Sequence, residues 1–135
     1  MLVNVSVGAA KQMEGGSVAA STGSTVILTC RTASPVNHAE WDFHRLNTGT
    51  PTVIYDGSVV NPNLSDKYSI SYCNVSSTTC NLRINRLQQS DDGEYQCYLE
   101  TNNETLKIVH RLSVIHGGYR LILAISSTLR DVSVS

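Results

Sequence analysis

No apolar run in this chain of 135 residues approaches the roughly 18 that a membrane-spanning helix needs. The stretch "LILAI" at 121–125 is too short to span and reads as an interdomain segment, an added strand or expression-derived sequence. An excess of one charge is missing too: the formal net charge is −1 and charged residues make up 16%. Neither a basic surface for nucleic acid nor an acidic tail is advertised. No nucleic acid and no direct membrane insertion by this segment are expected. Residues 1–10 lack the basic and long apolar regions of a secretory leader, so a secreted product is expected here as a mature or recombinant chain with a start methionine.

Catalytic and metal-binding patterns are absent from the sequence as well. His38, His44, His110 and His116 form no His-Glu-x-x-His or related pattern and read as ordinary strand and loop residues. The cysteines form no Cys-x-x-Cys and no Cys–His cluster of zinc spacing. An enzyme needs a nucleophile or an acid/base pair in a pocket. The adjacent Asp91 and Asp92 look like one but belong to a turn. The chain is read as non-enzymatic, with no cofactor and no metal.

What is present is a strand pattern. The length suits one domain with a sizeable core, and 41% of residues are hydrophobic. Residues 25–30 alternate Val26, Leu28 and Cys30 against Thr25, Ile27 and Thr29. Residues 40–46 alternate Trp41 and Phe43 against Glu40, Asp42 and His44. Further strands are predicted at 52–56, 67–72, 80–87, 93–100 and 105–115, and Thr101 to Glu104 is short enough for a tight hairpin. Only residues 86–92 suit a helical turn. Turn signals recur about every ten residues with no sustained helical period, which implies an all-β sandwich or barrel.

Cys30, Cys73, Cys80 and Cys97 allow three disulfide connectivities. Asn-x-Ser/Thr sequons begin at Asn4, Asn63, Asn74 and Asn103. Scattered, even-numbered cysteines with several sequons point to an oxidising, extracellular compartment, either the cell surface or the secreted medium.

The stretch "DDGEYQC" at 91–97 is the most particular in the chain. A sandwich needs its sheets tied together, and Cys30 and Cys97 share the core-facing parity of two strands. Trp41 has core parity on the strand after Cys30. Tyr95 stands two residues before Cys97, where a tyrosine corner bonds backbone upstream. Gly93 permits a sharp entry into the strand, and Asp91 can pair with a cation at the base.

Together, Cys30, Trp41 and Asp91-x-Gly93-x-Tyr95-x-Cys97 resemble the signature of an immunoglobulin-superfamily domain. Residues 53–72 resemble the C′–C″–D region of light-chain variable domains, with Lys67 in the place of the arginine that pairs with the aspartate. The resemblance implies a two-sheet Greek-key β-sandwich of variable type. It implies a Cys30–Cys97 disulfide, and the extra Cys73 and Cys80 suit a bond across the D–E hairpin. The domain is placed at 16–115, with 1–15 as an N-terminal extension or first-strand segment and 116–135 as a tail. Residues 106–115 lack the Phe-Gly-x-Gly bulge of rearranged receptors, so a germline-encoded domain is implied.

On this resemblance the outer G-F-C-C′ face is expected to carry Asp42, His44, Val53, Tyr55, Gln96, Tyr98, Lys107, Val109 and Arg111. Exposed Tyr55, Tyr98, Val53 and Val109 among charges of both signs have the makeup of a protein interface. The expected function is a recognition module of a cell-surface immune-type receptor or adhesion protein, binding another surface protein or itself as a weak homodimer. The alternative is a secreted innate-defence protein that binds glycan or a microbial surface. Against a sialic-acid lectin, the outward F-strand positions Glu94, Gln96, Tyr98 and Glu100 include no arginine.

Overall fold

A computed structural model describes residues 11–46, 49–71, 73–74 and 77–116. The Asn4 sequon, the 121–125 run and most of the tail lie outside them. Among the described residues, eight strands form two sheets. They are β1 (Lys11–Ser21), β2 (Val26–Leu28), β3 (Val36–His44), β4 (Thr52–Tyr55), β5 (Tyr68–Ser71), β6 (Asn81–Ile84), β7 (Gly93–Thr101) and β8 (Thr105–Ile115). The larger sheet runs β1-β8-β7-β3-β4 and the smaller β2-β6-β5.

Alternation builds the facing surfaces. β8 buries Leu106, Ile108, His110, Leu112 and Val114 and leaves the residues between them partly exposed. β2 buries Val26 and Leu28 while Ile27 faces outward, and β6 buries Leu82 and Ile84. Between the sheets lie Trp41, Tyr95, Ile54, Leu87 and Leu99, all at 2% exposure or less. The Trp41 indole N–H donates to the Cys80 carbonyl at 3.3 Å, so the largest core side chain leaves no buried donor unmet.

Three elements differ from the sequence reading. β3 begins at Val36 rather than residue 40. A register irregularity between Val36 and His38 breaks the alternation there, although Val36 and Ala39 are buried. β6 stops at Ile84, because Arg86 at φ 46° turns the chain out of the ladder. The helical turn expected within 86–92 is present as a 3-10 turn at Gln89–Asp91, but a second one, unexpected, lies at Pro62–Leu64.

β1 lies parallel to β8 from Lys11↔Leu106 to Ser21↔Ile115 and so crosses the position 16 boundary. Its register shifts between Glu14 and Gly16. A Cβ on Gly15 would collide with the Val109 carbonyl, so glycine is what lets the bulged strand stay against β8.

Candidate interaction face

The base of the sandwich and its sheet-to-sheet ties are closed. Cys30 and Cys97 are joined at a Cα–Cα distance of 6.4 Å, and Cys73 and Cys80 at 4.1 Å. The Tyr95 hydroxyl donates to the Asp91 carbonyl at 2.7 Å. Burial raises its pKa, so it stays a donor at any ordinary pH. Asp91 accepts from the Gln88 N–H at 2.7 Å and meets Lys67 Nζ at 2.6 Å. Lys67 also donates to the Arg86 carbonyl. Asp92 takes Arg111 at 2.8 Å with one oxygen and the Val114 N–H at 2.9 Å with the other. At Gly93 a Cβ would stand 2.6 Å from a Phe43 ring carbon and 2.7 Å from the His44 carbonyl. That position therefore needs glycine for the approach of β3 as well as for the turn.

The outer face of the larger sheet is a grid fixed by strand register. One row is Lys107, Tyr98, Glu40; the next is Val109, Gln96, Asp42, Val53; the third is Arg111, Glu94, His44. Tyr98 donates to Gln96 Oε1 at 2.8 Å. Asp42 is 7% exposed, and its Oδ1 meets no hydrogen-bond partner among the described residues. Burial, then a hydrogen bond with Glu40 and the Glu40 charge, push its carboxyl up to about 7. Burial and the same two carboxylates raise Tyr98. His44 Nε2 is likewise buried and without a hydrogen-bond partner among the described residues. Native proteins pair nearly all such groups, so two on one outer face require an explanation.

The sequence matches the family model of the immunoglobulin V-set domain over residues 14–115. The chain belongs to the immunoglobulin V-set family. V-set domains are recognition and adhesion modules, generally non-enzymatic, commonly protein-binding and typical of extracellular or cell-surface proteins. Among the described residues no helix is long and apolar enough to cross a membrane.

Within this V-set domain, several positions expected on the face behave differently. Tyr55 is not an exposed anchor: it is 9% exposed and belongs to the core. The β3–β4 register shifts between Trp41 and Asp42, so Tyr55 sits opposite Trp41 instead of alternating outward after Ile54. Asp42 and Gln96 keep outward register but are covered, at 7% and 6% exposure. Arg111 is tied to Asp92 and the Gly93 carbonyl, which removes it as a free cation. Val53 is 41% exposed, while Tyr98, Lys107, Val109 and His44 are half-buried.

Two side chains have roles beyond the sequence reading. Glu40 has outward parity but is not among the residues expected on the face, and strand pairing places it beside Tyr98. His110 is a strand residue as expected, with a structural part in the core. Its Nε2 lies 2.7 Å from the Thr29 carbonyl, where only the N–H tautomer bonds, and its ring stacks on Trp41 at 5.9 Å. The inward parity of His110 within β8 was the available signal. The sequons at Asn63, Asn74 and Asn103 are exposed and lie outside β3, β4, β7 and β8.

Proposed function

We propose that this V-set domain is the recognition module of a germline-encoded cell-surface receptor or adhesion protein, and that it binds protein through the outer face of β8, β7, β3 and β4. The partner is a second copy of the same chain, held weakly. One observation carries the reading: Tyr98, Val53 and Val109 form a partly exposed stretch among charges of both signs on an outer sheet face. Large aromatic and apolar side chains surrounded by mixed charges are the usual makeup of a protein-binding surface. Tyr98 offers broad contact area with a hydrogen-bonding tip, and Val53 and Val109 flank it with apolar area. Glycans at Asn63, Asn74 and Asn103 would spring from segments outside those strands.

The test is analytical ultracentrifugation at high concentration on the parent, on Tyr98→Ala, and on Val53→Asp. A concentration-dependent dimer that both substitutions abolish is expected. A parent that stays monomeric ends the homodimer reading, and a dimer indifferent to both changes moves the interface to another face.

A further inference from the structure

We propose that two copies meet through a reciprocal contact, Lys107 of each on the Glu40–Asp42 carboxyl pair of the other, and that protonation of Asp42 gates the association. The inference rests on the reading of this face as self-complementary and adds its geometry and regulation.

Register supplies the geometry. Tyr98 pairs with Glu40 on one side and Lys107 on the other, so all three share one row across β3, β7 and β8. Adjacent strands lie about 4.8 Å apart, which puts Lys107 and Glu40 on opposite flanks of Tyr98. A two-fold axis parallel to β7 and passing over Tyr98 exchanges these flanks while keeping each row at its own height. It lays β8 of one copy over β3 of the other, sets tyrosine against tyrosine, and brings Lys107 over Glu40 twice. Facing sheets pack about 10 Å apart, a gap that an extended lysine and a glutamate can close between them. In the next row Val109 of the second copy covers Asp42.

Charge selects the lysine. Arg111 is held by Asp92, so among the described residues Lys107 is the lysine or arginine on this face without a bonded partner. Among the described residues no lysine or arginine is bonded to the carboxyl pair. From β3 it is faced by His44, which sits opposite Glu94, and by His38 further along. From β7 come Tyr98, Glu94 and Glu100, and from β4 Val53, with Tyr55 turned to the core. Asp42 is nine-tenths buried and, among the described residues, its Oδ1 has no partner, so an incoming lysine reaches the half-buried Glu40 and acts on Asp42 through that neighbouring carboxyl.

The sign follows from linkage. In the free domain Asp42 holds its proton up to about pH 7. A lysine docked on the pair favours the ionised form, so association releases protons and strengthens as pH rises toward that value. Val109 covering a carboxyl with no cation present would do the reverse.

Sedimentation of the full chain at pH 7.5 and 5.5 tests the gate. The dissociation constant is expected to rise roughly tenfold or more at the lower pH, the equivalent of at least one unit of pKa change. Asp42→Asn should flatten that dependence and His44→Gln should preserve it. Lys107→Glu and Glu40→Lys should each be monomeric alone, and mixed they should dimerise again because both contacts are restored. Recovery on mixing also shows that both variants are folded. Association that is constant or tighter at pH 5.5, or a mixture no better than its parts, overturns the inference. In that event a dimer still abolished by Tyr98→Ala leaves the face reading standing. A parent monomeric at both pH values removes the two together.

Discussion

Asp91 at the base of the sandwich and Asp42 on the outer sheet are almost equally buried, at 5% and 7% exposure, and are treated in opposite ways. Asp91 has a lysine, a backbone N–H and a tyrosine hydroxyl on its own carbonyl. Asp42 has a second carboxyl for company and, among the described residues, an oxygen with no bond. A buried charge that is paired and hydrogen-bonded helps hold a fold, and one left unanswered weakens it. The base is built for folding. The face carries a carboxyl that weakens the fold.

The sharpest contrast between these regions lies in their effect on unfolding. Replacing Cys30 and Cys97 together by alanine is expected to cost roughly 4 kcal/mol on the chain-entropy model, against roughly 2.5 kcal/mol for the shorter Cys73–Cys80 loop. Urea denaturation of both double variants checks the order, and equal losses would contradict it. Next, Asp91→Ala should cost about 2–3 kcal/mol, because it frees the Gln88 N–H and strands Lys67. Lys67→Ala should cost about 1 kcal/mol or less, since the lysine remains partly solvated. Matching losses for the two would erase that division of roles. Tyr95→Phe removes one buried hydrogen bond and should lower stability by about 1–2 kcal/mol in the same assay.

The smallest effect is the most telling, because its sign is opposite. The folded pKa of Asp42, about 7, lies above the ordinary value of 3.8. Between these values the native domain keeps a proton that the unfolded chain has released, so this group lowers stability progressively as pH rises through about 7. Asp42→Asn stays neutral throughout. It should therefore raise stability by about 1 kcal/mol near pH 8 and leave it unchanged near pH 3.5 in paired thermal melts. Destabilisation near pH 8 would mean that Asp42 belongs with the base.

The two regions were also unequally legible in the sequence. The base is written in a contiguous motif, Asp91 to Cys97, plus Cys30, Trp41 and Lys67, because each residue there serves the local backbone. The face depends on register between distant strands, which alternation alone does not specify. The shift opposite Trp41 turned Tyr55 inward, and Arg111 was taken up by Asp92, a residue whose turn position gave no hint of that partner. β1 was hardest to read, since Gly15, Gly16, Ser17, Ala19 and Ala20 offer little apolar alternation and it is held by its parallel ladder to β8. His110 carried the right parity but the wrong residue type for a core, until its bond to Thr29 accounts for it.

The direct measurement is a concentration series of amide nitrogen–proton NMR spectra on the labelled chain at pH 7.5, with each shifting signal mapped to its residue. Shifts gathered at Glu40, Asp42, Val53, Gln96, Tyr98, Lys107 and Val109, with Ile27, Ser69 and Arg83 on the opposite sheet unmoved, are the expected result. Spectra independent of concentration, or shifts gathered around Ile27 and Arg83, would contradict it.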